Sequence, residues 1–188
     1  MPAALMSKDD MLARLMALFR EKGFDGASLA DISAATGLGK SSLYHHFPDG
    51  KAEMAQQVLG YLEAQLEVAI FEPLRGTGSP RRKLDRMLDA LDRFYEGGAR
   101  ACLLERLCAS VEVRRFRRPL GRAFATWIDA VEALGVEAGL TRAVARRRAE
   151  DMVVRIEGAL IVAAGSGDTD VFARAIRDLR ETVLAPAR

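Results

Sequence analysis

Residues 28–47, Ser-Leu-Ala-Asp-Ile-Ser-Ala-Ala-Thr-Gly-Leu-Gly-Lys-Ser-Ser-Leu-Tyr-His-His-Phe, constrain the fold more than any other stretch of the chain. Ser28 is placed to cap a helix through its hydroxyl, with Asp31 three positions on to reach back to the cap amide. Leu29, Ile32 and Ala35 recur at near-helical spacing, so one narrow stripe faces inward. Gly37 can take the positive φ that ends the helix, and Leu38 follows as an apolar pin between this helix and the next. In the second segment, Lys40 to Phe47, Leu43 and Phe47 lie four apart and bury one face. Lys40, Ser41, Ser42, Tyr44, His45 and His46 are left on the remaining surface, and all are hydrogen-bonding groups.

A helix that reads DNA needs that composition. Short donors and acceptors must reach base edges, while positive or hydroxyl groups hold phosphates on either side. Lys40, Ser41, Ser42 and His45 are the candidates for base-edge or groove contact. Lys51 opens the next helix, where its charge and the exposed amides together suit a phosphate. Spacing alone leaves a second reading open, because glycine-linked helix pairs also occur in helical proteins that never meet DNA.

Residues 7 to 62 resemble the N-terminal domain of the TetR family of bacterial transcriptional regulators. The match is carried by Tyr44-His45-His46-Phe47 before a lysine-led helix, and upstream by Gly23-Phe24, the serine cap, Ile32 and Thr36-Gly37-Leu38. The link from Phe47 to the lysine is lengthened here to Pro48-Asp49-Gly50, as in LmrA-like members. The resemblance implies that Ser28, Lys40, Ser41, Ser42, Tyr44, His45, His46 and Lys51 contact DNA, with Tyr44 and His46 on the phosphate backbone. It also implies a double-stranded operator as partner.

Composition supports an all-α chain. Of 188 residues, 49% are hydrophobic, enough to bury a substantial core; helix formers dominate and period-two β patterns are missing. About nine helices are expected: an N-terminal three-helix DNA-binding domain over 1–50, then a helical effector-binding and dimerisation domain over 51–188. The first helix runs from about Ser7 to Lys22, with Ser7 and Asp10 repeating the capping pattern and Gly23 closing it. A ladder of Met54, Val58, Leu62, Leu66 and Ile70 marks the connecting helix, expected to last until Pro73. The break between functions is expected along that helix, near Gly60. Ser79-Pro80 and Thr141 mark later helix starts, and Pro119 is expected to open another.

Formal net charge is only +2, so any basic face must arise from local placement. Up to Lys51, Lys8, Arg14, Arg20, Lys22, Lys40 and Lys51 are matched by Asp9, Asp10, Glu21, Asp25, Asp31 and Asp49. Two basic runs, Arg114-Arg-Phe-Arg-Arg118 and Arg146-Arg-Arg148, are assigned to the second half as solvated helix ends or interface ion pairs. Glu150, Asp151 and Glu157 are available partners for them. Neither a secretory leader nor an uncharged apolar run of spanning length is evident, which points to a cytoplasmic protein with no membrane partner.

The resemblance implies that the eighth and ninth helices pair with a second copy, so the chain is expected to be a homodimer. Met152, Val153, Ile156, Ala159, Leu160, Ala163, Phe172, Ile176 and Leu179 are the interface candidates; their stripes also suit ordinary core. It further implies a small-molecule effector held among helices four to seven. Leu62, Leu66, Met87, Leu91, Phe94, Tyr95, Leu103, Leu107, Phe124 and Trp127 offer an apolar lining for a hydrophobic or aromatic ligand, or else plain core.

Catalytic and metal sites are not expected, and no cofactor is implied. His45 and His46 are the only histidines, adjacent residues on a helix point about 100° apart, and no Glu-x-x-His pair occurs. Cys102 and Cys108, six apart in one expected helix, form no metal motif. They read as buried thiols, or as a sensor if one is accessible and acidic.

Overall fold

A computed structural model describes residues 6–186. The first five residues, which carry part of the case against a leader, lie outside that range. Among the described residues all regular structure is helical, in nine helices with no strand. These are α1 (Lys8–Gly26), α2 (Leu29–Thr36) and α3 (Lys40–His46), then α4, a continuous run of Lys51–Leu66, a π segment Glu67–Phe71 and Glu72–Arg75. There follow α5 (Pro80–Phe94), α6 (Leu103–Cys108), α7 (Val113–Glu137), α8 (Arg142–Ser166) and α9 (Asp170–Thr182), with a single 3₁₀ turn at Glu96–Gly98. No helix among the described residues is long and apolar enough to cross a membrane.

The helix starts follow local chemistry. Ser7, Ser28, Ser79 and Thr141 each accept the N–H three residues on, at α1, α2, α5 and α8, satisfying an amide that the helix itself cannot. Two prolines behave differently from expectation. Pro119 lies inside α7, which begins six residues earlier at Val113. Pro73 does not end α4 either; the helix continues to Arg75 through the π segment directly before it. A proline ring collides with the carbonyl four residues back and donates no hydrogen bond, and a widened turn relieves both problems.

The chain forms two compact units that do not follow chain order. One comprises residues 1–64 and 103–119, the other 65–102 and 120–188. In the first, α1 packs against α2 and α6, and Leu15, Phe19, Ile32, Leu43, Phe47, Met54 and Val58 are buried together with Leu103, Leu104, Leu107 and Phe116. In the second, α9 packs on α8 and α5, and the 3₁₀ turn packs against all three. Gly98 in that turn has φ +96°, and a Cβ there would lie 2.6 Å from Phe172 Cβ, so only glycine fits.

Charged side chains join the helices of the second unit. Lys83 Nζ donates to both Glu137 carboxylate oxygens at 2.8 and 2.9 Å, linking α5 to α7. Arg180 joins α9 to Asp85 and Asp89 of α5. Arg146 meets Glu150, Asp129 and Glu132, and these hydrogen bonds, Glu150 first, raise its pKa. Cys102 precedes α6 rather than lying in it. It is buried, accepts a hydrogen bond from the Tyr95 hydroxyl at 3.5 Å and donates to Glu157 Oε1 at 3.3 Å. Cys108 is exposed, against the reading of both thiols as buried.

Candidate nucleic-acid interface

The surface is set up by α2. The Ser28 hydroxyl accepts the Asp31 N–H at 3.1 Å and donates to Asp31 Oδ2 at 2.6 Å, while the Ser28 N–H donates to the same oxygen at 2.9 Å. The Lys22 ammonium donates to the other carboxylate oxygen at 2.5 Å, tying α1 to α2. These contacts, Lys22 first, hold the Asp31 carboxyl well below the usual carboxylate range. Ser28 is therefore engaged as a cap, whatever else it touches. At the far end the Thr36 hydroxyl donates to the Ile32 carbonyl at 2.7 Å and accepts the Leu38 N–H at 3.3 Å. Gly37 takes φ +72°, which turns the chain into α3.

On α3, Leu43 and Phe47 are each 1% exposed. Lys40, Ser41, Ser42, Tyr44, His45 and His46 are all exposed. The His45 and His46 rings meet edge-on with centroids 5.6 Å apart. Tyr44 lies beside the lengthened link, where a Cβ on Gly50 would come within 3.6 Å of its ring. The surface is therefore a short helix with one apolar anchor face and a polar face turned to solvent.

Lys51 is placed otherwise than expected. Its ammonium donates to the Phe24 and Ala27 carbonyls at 2.8 and 3.0 Å and sits 4.6 Å from the centroid of the Phe24 ring. The cause lies in α1, which breaks at Gly23 (φ +70°). Carbonyls past that break are without their regular helix partners and need another donor. Lys51 supplies it, and in this structure its ammonium is engaged by those protein carbonyls.

Two features of this unit have no local signal in the sequence. The Asp25 carboxylate accepts the Ser110 hydroxyl at 3.0 Å and the Val111 N–H at 2.9 Å. Phe24 meets Phe116 edge-on at 5.0 Å. Both contacts join positions more than eighty residues apart.

In the expected ligand lining, Leu62, Leu66, Met87, Leu91, Tyr95, Leu103, Leu107 and Trp127 are buried, and Phe94 and Phe124 are half-buried. A cavity of about 450 Å³ in the second unit has a different lining: Glu67, Phe71, Leu74, Arg75, Lys83, Thr126, Ala130, Ala133, Leu134 and Glu137. The expected interface residues Met152, Val153, Ile156, Ala159, Leu160, Ala163, Phe172, Ile176 and Leu179 are all buried within the single chain. The large apolar side chains that α8 does present to solvent are Val154, Ile161 and Val162, 70%, 52% and 50% exposed. Among the described residues no group of three or more His, Cys, Asp or Glu could hold a metal ion.

Residues 11–58 match the model of bacterial regulatory proteins of the tetR family, and residues 80–178 match the LmrA/YxaF-like transcriptional regulator C-terminal domain. The HTH-type transcriptional repressor DhaR of Mycobacterium sp. is 28% identical over 141 residues, 72% of this chain and 69% of that protein. The biofilm operon icaADBC HTH-type negative transcriptional regulator IcaR of Staphylococcus aureus is 41% identical over 51 residues. That match spans 27% of each chain, about a quarter of the relative's length. A TetR transcriptional regulator from Legionella pneumophila has the same fold at 18% identity, with TM-score 0.83 over 95% of this chain and 97% of that one. With both of its halves matched, the chain belongs to the TetR family of bacterial transcriptional regulators, in the LmrA-like subgroup.

Proposed function

We propose that the chain is a cytoplasmic repressor that binds a palindromic operator as a homodimer and is released by a small-molecule effector. The observation that carries the DNA reading is the exposed polar face of α3, held in place by buried Leu43 and Phe47. Lys40, Ser41, Ser42 and His45 face base edges; Tyr44 and His46 face the backbone. Two copies of one reading head match two half-sites about one helical turn (~34 Å) apart, or a multiple of it. The names of DhaR and IcaR, a repressor and a negative regulator, favour repression.

Dimerisation is proposed through Val154, Ile161 and Val162, since an apolar strip of this kind on α8 gains by being covered. The cavity beside the π segment supports an effector with both apolar and polar groups, because Phe71 and Leu134 border it together with the Lys83–Glu137 ion pair. Such a ligand lowers DNA affinity by as much as it prefers the conformation that does not bind DNA.

The test is a titration of the full chain with duplex DNA from its own upstream region and with random duplex, at several salt concentrations. Specific, salt-sensitive binding is expected. Tyr44→Phe should weaken binding to all sequences. Lys40→Ala and His45→Ala should change preference among bases, costing about 1 to 3 kcal/mol at a directly read position. Equal affinity for both duplexes would count against an operator.

A further inference from the structure

The first compact unit without residues 103–119 is acidic. Residues 1–64 hold six Lys and Arg against eight Asp and Glu, a poor balance for a surface that must approach a polyanion. Residues 103–119 bring five arginines and two glutamates, and they make the whole unit net positive.

Their position is fixed by aromatic contacts. Phe116, in the first turns of α7, is fully buried and meets Phe24 at 5.0 Å. Phe24 in turn carries the Lys51 ammonium, and Gly50, next to Lys51 in the chain, borders the Tyr44 ring. A short series of contacts therefore joins the reading helix to the turn that bears the arginines. Arg114, Arg117 and Arg118 stand at helical spacing i, i+3 and i+4, on the face away from Phe116. All three are exposed. Arg115 pairs with Glu112 at 2.9 Å, but among the described residues none of the other three is paired with a carboxylate.

The second basic run is used differently. Arg146 is held by three carboxylates, and Arg148 donates to the carbonyls of Val183, Ala185 and Pro186. Those two of its three arginines serve the protein's own packing, with Arg147 exposed between them, whereas Arg114, Arg117 and Arg118 stand together uncompensated. A guanidinium offers two parallel donors that match a phosphate and is more weakly hydrated than an ammonium, so it gives up water at little cost.

We propose that Arg114, Arg117 and Arg118 form a second phosphate-binding surface that grips the DNA backbone outside the base pairs read by α3. The proposal rests on the DNA binding proposed above and adds a contact to it. Backbone contacts carry no base information, so the surface raises affinity for every duplex and steepens the salt dependence without changing sequence preference.

The test uses the full chain with all three arginines changed to alanine, R114A/R117A/R118A, and a companion with all three changed to lysine. Fluorescence anisotropy is read over a salt series with a random-sequence duplex several turns long and with a duplex from the upstream region. The alanine variant is expected to lose affinity in parallel on both, about tenfold or more at moderate salt, with the slope of log K against log salt shallower by about 0.9 for each phosphate no longer neutralised. The lysine variant should retain most of the slope, and the thermal midpoint of either should match the parent. Parent-like affinity and slope in the alanine variant overturn the proposal, whether or not that variant loses binding to an acidic peptide. A loss confined to the upstream duplex overturns it too, because that is base reading. If the parent binds neither duplex, the DNA reading and this surface fail together. If it binds both and only the variant is unchanged, the surface alone fails. Should the triple alanine variant not fold, R118A alone and the lysine variant decide by the same slopes.

Discussion

Asp25 and Val111 are held together by a 2.9 Å hydrogen bond from the Val111 N–H to the Asp25 carboxylate, with the Ser110 hydroxyl on the other oxygen at 3.0 Å. The carboxylate at the end of α1 thereby anchors the turn between α6 and α7. Asp25→Ala should lower stability by about 1 to 3 kcal/mol, because hydrogen bonds to a charged group are the stronger kind and Ser110 is left buried without its acceptor. Urea unfolding measures the loss, and hydrogen exchange at Val111 should rise.

Lys51 makes a related prediction with a different readout. Its ammonium serves the Phe24 and Ala27 carbonyls at the end of α1, so Lys51→Met should destabilise the chain by about 1 to 3 kcal/mol and leave the salt slope of DNA binding unchanged. A shallower slope with unaltered stability would mean that the side chain turns outward to a phosphate on DNA.

Acid should expose the contribution of Asp31. Contacts with Lys22 and Ser28 hold its carboxyl below the ordinary 3.8, and the partnership raises Lys22 above 10.5. A depressed folded-state pKa gives stability that is complete above the unfolded value, about 4, and is lost as pH falls through the folded value. The Lys22 part is complete below its unfolded value and lost as pH rises through the raised one. The stability gap between parent and Asp31→Asn should be flat around neutrality and narrow in strong acid. Chemical denaturation across a pH series reads that gap, and one that widens on acidification would contradict the assignment.

Gly98→Ala tests the closest backbone approach in the second unit. The new methyl would meet Phe172 Cβ at 2.6 Å in a backbone conformation that suits only glycine. About 2 to 4 kcal/mol of stability should be lost, visible as a fall in Tm.

The proposed dimer surface is separable from the core by mutation. Ile161→Arg, at a half-exposed position on α8, should give monomers by light scattering with little change in unfolding at matched oligomeric state. Ile156→Ala, at a fully buried position, should cost about 2 to 5 kcal/mol in folding. A dimer that survives Ile161→Arg unchanged removes this strip from the interface.

The reading helix was legible because its determinants are local. Ser28 and Asp31 cap α2, Gly37 turns the chain, and Leu43 with Phe47 sets which face of α3 is buried; every partner lies within a few residues of the next. The same holds for Ser7, Ser79 and Thr141 as helix starts. α8 was harder to read, because small and apolar residues occupy several of its faces and periodicity does not say which face a partner covers. Its stripe through Met152, Ile156 and Ala159 is core, and Val154, Ile161 and Val162 are left outside. Pro119 and Pro73 misled for a related reason: a helix can pass a proline when packing repays the lost hydrogen bond.

By itself the sequence determined the all-α class, the capped pair of helices and the polar face between Lys40 and His46, all products of contacts along one or two turns. Tertiary structure alone decided where Lys51 sends its charge and that residues 103–119 join the compact unit that holds α3. Those outcomes rest on Phe24, Asp25 and Ala27 meeting partners far along the chain, and the energy of such contacts depends on which carbonyls and rings folding brings together, not on their spacing in sequence.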